Sequence, residues 1–187
     1  MKNTLILVLL FIFLPLLKTE SADYGLEYNV QELRNLYQQA SEDVEAGRLF
    51  YDLMRNYDGR EPVVLAYKAA AEAIEAKYSS VVFSKLKHLK VSARLFEQAV
   101  RLNSSNPEIR FLRYTVEQNV PSYLNMSEHL QEDKSIIMAS LKRVSDSGIA
   151  AAWVQTVCEV MLSLGYCTEE EKSELRHYKR SLVAGAN

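Results

Sequence analysis

Apolar residues recur along this chain at intervals of three and four, and no stretch alternates apolar with polar for long enough to mark a strand. Val30, Leu33, Tyr37 and Ala40 share one helical face behind Asn29, a residue type whose side-chain oxygen caps helix starts. Ser41 restarts the pattern, which Val44, Leu49, Phe50, Leu53, Met54 and Tyr57 carry to the turn dipeptide Asp58-Gly59. Pro62 suits the first turn of a third helix, where a missing N–H costs no bond. Ala69, Ala70, Ala71, Ala73 and Ala76 follow it and let another helix come close. The longest helix is predicted from about Val82 to Leu102. Leu86, Leu89, Ala93, Phe96 and Val100 form its apolar stripe, and Lys85, Lys87, Lys90, Arg94 and Arg101 its solvated face.

Asn103 to Asn106 ends that helix, and Pro107-Glu108 opens another that carries Ile109, Leu112 and Val116 as far as Pro121. After an irregular link, Ser127 is placed to cap a helix bearing Leu130, Ile137, Leu141 and Val144, and Ser145 to Gly148 is the next break. Ile149 to Leu164 is the most apolar run beyond the N-terminal region. Its Trp153, Val157, Val160 and Leu164 lie on one side and Val154, Cys158 and Met161 on another, so it should be covered on two faces. Gly165 reads as a left-handed stop with Tyr166 packing beside it. Thr168 and Glu171 then form a capping box for a last helix carrying Leu175, Tyr178, Leu182 and Val183. The sum is an all-α chain of about eight helices on short links, which predicts about four antiparallel hairpins.

One segment supplies a resemblance. From Ser92 to Pro107, small Ser92, aromatic Phe96, small Ala99, Leu102 and the Asn106-Pro107-Glu108 start of the next helix resemble the second helix and exit turn of a tetratricopeptide repeat. The small residues permit close helix approach while Phe96 fills the gap between hairpins. Ser104 stands where the family usually has proline, and Arg110 where it has a tryptophan-like residue. The resemblance implies a right-handed, tetratricopeptide-like α-solenoid that binds a protein or peptide on the concave face made by the first helix of each pair, without a cofactor. Residues 66 to 137, including "AYKAAAEAIEAKYSSVVFSKLKHLK" and "FLRYTVEQNVPSYLNMSEHLQEDKSII", also resemble a group of bacterial exported helical proteins, which implies a compartment and no activity.

The N-terminal residues follow other rules. Lys2, the uncharged apolar run Thr4 to Leu17 and the polar exit Lys18 to Ala22 have the layout of a secretory signal peptide. The run is short of the ~18 to 20 residues that span a bilayer, which favours cleavage over anchoring and leaves no stable membrane span in the mature chain. Thr19 and Ser21 occupy the small-residue positions before a cut at Ala22, so residues 1–21 leave and 22–187 form one exported domain, periplasmic or secreted. The full chain's 22 basic and 24 acidic residues lose Lys2, Lys18 and Glu20, and the resulting net charge of −3 is too mild to gather nucleic acid. Export would put Cys158 and Cys167, the only two cysteines, where a disulfide is permitted; buried thiols are the competing reading.

Candidate chemistry is sparse. His129, Glu132 and Asp133 fall at i, i+3 and i+4 on one helical face, which could contribute ligands to a metal-dependent hydrolase but cannot close a site alone. There is no glycine-rich phosphate loop, G-x-S-x-G or H-E-x-x-H. The expected function is therefore a non-enzymatic envelope scaffold or structural component, with Tyr67, Arg110, Arg113 and Tyr114 as the expected partner-binding surface, since arginine and tyrosine make anchors. Phe96, Ala99 and Trp153 are expected in the core. Mass spectrometry of the exported protein should find Ala22 as its first residue; an intact Met1 or Lys2 would refute the cleavage.

Overall fold

The computed structural model describes residues 28–143 and 151–184. The signal peptide expected at 1–21, the break expected at Ser145 to Gly148 and the chain end at Gly185 lie outside the described residues. Within them the chain forms eight α-helices and no strand: α1 (Val30–Glu42), α2 (Val44–Arg55), α3 (Pro62–Tyr78), α4 (Val82–Leu102), α5 (Pro107–Asn119), α6 (Leu130–Leu141), α7 (Ala151–Ser163) and α8 (Glu169–Ala184). A single 3-10 turn, Ser122–Leu124, interrupts the link between α5 and α6. None of the described helices is long and apolar enough to cross a membrane.

Most boundaries follow local chemistry. Asn29 Oδ1 accepts the N–H groups of Gln31 and Glu32, and Asn106 Oδ1 those of Glu108 and Ile109, so both side chains satisfy donors that a helix start leaves free. Thr168 and Glu171 exchange bonds of 2.8 and 3.2 Å, the reciprocal capping box expected for α8. Three starts or stops differ from expectation. Ser41 stays inside α1, and Asp43 instead ends it and caps α2 through Ala46 N–H. Ser127 does not cap α6: its hydroxyl donates back to Glu117 O, and His129 occupies the cap position. Gly165 does not adopt a left-handed φ, and Tyr166 is exposed, because Tyr166 N–H closes on Leu164 O in a tight turn.

Consecutive helices pair as hairpins, α1 with α2, α3 with α4, α5 with α6, and α7 with α8. The first helices also touch one another, α1 against α3 and α3 against α5, while α2 packs on α3 and α4 on α5. The described helices thus pack in a manner compatible with a helical repeat. Phe96, Ala99 and Trp153 are buried, as expected. Buried Ala66, Ala69, Ala70 and Ala71 keep α3 slim, which brings its neighbours close on several sides at once.

Two apolar cores result, and α5 is the wall between them. Ile109 and Leu112 face the first core, made with α1 to α4. Phe111 and Tyr114 face the second, made with α6, α7 and α8, where the Phe111 ring meets Trp153 edge-on at 6.2 Å. Every residue from Glu108 to Thr115 is buried, and two helical turns of unbroken burial mean that α5 is covered in all directions.

Gly47 of α2 packs tightly against α3. A Cβ there would lie 2.7 Å from Tyr78 Cε2 and 3.0 Å from Ile74 Cγ2. The Tyr78 ring cannot swing aside freely, because its hydroxyl donates to Ala40 O and Lys77 Nζ sits over its face. Gly47→Ala should therefore lose about 1–3 kcal/mol to overpacking, more than the ~1 kcal/mol that alanine gains in a helix. Urea denaturation measures the balance, and a stabilised variant would contradict it.

Candidate functional site

The polar groups that could carry function converge on α5. At its first turn, Glu108 receives two bonds from the Arg34 guanidinium of α1, at 2.8 and 2.6 Å, and one from Tyr67 OH of α3 at 2.7 Å. This paired geometry suits a buried carboxylate, since arginine's fork matches both oxygens. Glu108 also sits where the helix dipole favours negative charge. Burial, followed by the adjacent Glu108 carboxylate, pushes the Tyr67 phenol far above its ordinary range, so it remains a neutral donor. Tyr37 OH lies 3.2 Å from Thr115 Oγ1 further along the same seam.

On the other side of α5, Arg110 and Arg113 enclose Asp133 of α6. Arg110 Nη1 donates to Asp133 Oδ1 at 2.8 Å, and Arg113 donates through Nε and Nη2 to both Asp133 oxygens at 2.7 Å. Arg110 also reaches Glu132 at 2.8 Å and Ser104 O at 2.8 Å. Asp133 is 0 % exposed and both arginines are 3 % exposed, so the charges compensate one another out of water. At the far end of α5, Glu117 accepts from His129 N–H at 2.9 Å and bonds the His129 ring at 2.7 Å. Glu117 thereby supplies the cap that the His129 side chain does not.

This arrangement corrects the expected partner-binding surface. Tyr67, Arg110, Arg113 and Tyr114 are all buried, between 0 and 3 % exposed, and none offers its side chain to solvent. The physical reason is that Glu108 and Asp133 draw the polar ends inward while the rings and stems fill the two cores. The concave groove expected on the first helices is likewise absent from α3 and α5 among the described residues, since Val63 to Tyr67 and Glu108 to Thr115 are buried without a gap.

The structure does not bring His129, Glu132 and Asp133 together as a ligand set. The His129 ring turns to Glu117, and both carboxylates turn to arginine. Among the described residues, no group of three or more histidines, cysteines, aspartates and glutamates is placed to hold a metal ion.

Cys158 and Cys167 are free thiols, not a disulfide, and both are buried in the second core. Cys158 projects from α7, while Cys167 belongs to the link before α8. Burial raises the Cys158 thiol to about 11, which keeps it protonated and unreactive near neutral pH. Tyr114 OH is buried beside Gln118 and Cys167, and burial, followed by the nearby Cys167, pushes it well above the phenol range. Lys134 crosses from α6 to bond Glu171 at 2.9 Å and Tyr166 O at 3.1 Å. Burial would raise the Glu171 carboxyl, but the bonds from Thr168 N–H and Lys134 outweigh it and hold Glu171 below its ordinary range. That contribution to stability is present above the unfolded carboxylate range and fades as pH falls through the lower folded value.

A cavity of about 20 Å³ lies between α4 and α5, lined by Leu89, Ser92, Phe96, Val116 and Met126 among others. Its volume is that of about one water. Ser92 Oγ, at its wall, has no hydrogen-bond partner among the described residues. Sequence reasoning missed Arg34, Glu108 and Glu117 as polar anchors, and also the part-buried Glu72–His88 pair at 2.6 Å between α3 and α4. The only local signal was Glu108 in the turn after Asn106-Pro107, which reads as an ordinary first-turn acid.

No protein-family model, no curated protein and no solved structure matches the chain.

Asp133→Asn should cost about 3–5 kcal/mol, since it leaves two buried guanidiniums facing one half-exposed carboxylate. Glu132→Gln should cost about 1 kcal/mol or less, because its side chain is largely solvated. Chemical denaturation of both variants tests the ranking, and equal losses would contradict the assignment of Asp133 as the anchor.

Proposed function

We propose that the protein is an exported, non-enzymatic scaffold of tetratricopeptide-like helical hairpins that binds a protein or peptide partner in the cell envelope. The observation that carries this reading is the apolar tip formed by Val81, Val82 and Phe83, which are 57, 75 and 85 % exposed in succession. Isolated exposed hydrophobics are ordinary, but three consecutive large ones at the start of a long helix form a patch that favours contact with another surface. Val44, also exposed, opens α2 in the neighbouring hairpin. The polar interior supports the same reading, because Glu108, Glu117 and Asp133 are each engaged in holding helices together.

Export rests on the layout of residues 2 to 22, and the repeat likeness on Ser92, Phe96, Ala99 and Leu102 together with the hairpin pairing. The partner surface expected on Tyr67, Arg110, Arg113 and Tyr114 moves outward to the tip.

Affinity capture of the mature chain from its own envelope fraction is expected to retain a defined protein. Val82→Ser with Phe83→Ser should release it while the circular dichroism spectrum stays helical. Capture of nothing by the unaltered chain, or unchanged capture by the double variant, would contradict the tip as the contact.

A further inference from the structure

The apolar tip does not stand alone on α4. Phe83, Lys87, Lys90 and Arg94 follow one another at intervals of four, three and four residues, which places them in a single row along the helix. All four are exposed. Arg101, further along, pairs with Glu97, and Lys85 turns to Lys77 O, whereas Lys87, Lys90 and Arg94 make no ion pair among the described residues. Lys87 to Arg94 spans about 10 Å of helix. The flank is thus a strip of uncompensated positive charge that ends in exposed aliphatic and aromatic carbon.

Resting on the partner-binding reading above, we infer that this flank of α4 docks an acidic segment of the partner that carries an apolar anchor. Carboxylates lie over Lys87, Lys90 and Arg94, and the anchor lies over Val82 and Phe83. Charge complementarity sets the direction of the segment, and the apolar end sets its register. An anionic bilayer fits less well. The end of the bundle that carries the tip also carries exposed Glu42, Asp43 and Glu45. Lys77 Nζ and Tyr78 OH, at the C-terminal end of α3, bond Ser41 O and Ala40 O beside that acidic turn. A membrane approached by the tip would have to meet these three carboxyl groups as well.

The test uses the mature chain and a fluorescein-labelled peptide with a row of glutamates ending in two leucines. Its controls are the same peptide with glutamines, and phosphatidylglycerol vesicles. Fluorescence polarisation should give saturable binding of the acidic peptide, weakened by added salt. The combined Lys87→Glu, Lys90→Glu and Arg94→Glu variant should lose at least about tenfold in affinity. Lys87→Gln, Lys90→Gln and Arg94→Gln should fall between, and circular dichroism checks that each variant keeps its helices. Four results would overturn the inference. These are equal binding of the glutamine peptide, no loss in the charge-reversed variant, vesicle binding without peptide binding, and self-association of the chain that the same reversal abolishes. Envelope capture separates this inference from the broader reading. A partner retained equally by the charge-reversed chain leaves the scaffold standing and removes the flank, whereas no partner for the unaltered chain removes both.

Discussion

Enclosure of α5 on every side is the constraint on which the rest of the structure depends. A helix buried all round is expected to be apolar all round, yet this one carries Glu108, Arg110, Arg113 and Glu117. Each must find a charged or hydrogen-bonding partner, since an unpaired charge out of water is far more costly than a paired one. Glu108 takes its partners from α1 and α3, the two arginines take theirs from α6, and Glu117 takes His129 from the link that leads to α6. These partners fix which helices can surround α5 and in what register. Apolar contacts alone would tolerate sliding, whereas the Asp133 carboxylate gripped by two guanidiniums does not.

Legibility in the sequence followed the range of the interaction. Asn29, Asn106-Pro107 and Thr168 with Glu171 announce helix starts because the bonds they make are two or three residues long. Periodicity placed Phe96, Ala99 and Trp153 inside for a similarly local reason. The pairing of Arg113 with Asp133 spans 20 residues, and that of Arg34 with Glu108 spans 74. Nothing local distinguishes such an arginine from one that faces a partner. Arg110, Arg113, Tyr67 and Tyr114 therefore looked like surface anchors from their chemistry, and only the positions of Asp133 and Glu108 reveal them as internal. Ser127 failed as a cap for the same reason, since its hydroxyl is drawn to Glu117 O ten residues away.

The exposed tip was hidden for a different reason. Val82 has the residue type and the position of a helix start that belongs to a core, and neither distinguishes it from a buried valine. Phe83 lies off the stripe that Leu86, Leu89 and Phe96 define, and only the packing of α3 against α4 shows which side remains open. Conversely, the basic residues of α4 were legible as a solvated face, and the structure adds which of them lack an acidic neighbour.

The shared wall has a consequence for how this chain can change over evolutionary time. Linear repeat arrays lengthen and shorten by whole units because each unit leans only on the next. Here the central helix serves both cores, and its two arginines are neutralised from one direction while its first-turn carboxylate is neutralised from the other. Deleting either half would strand ionised groups in an apolar setting. Growth or loss by whole units is thus closed at the middle of the bundle.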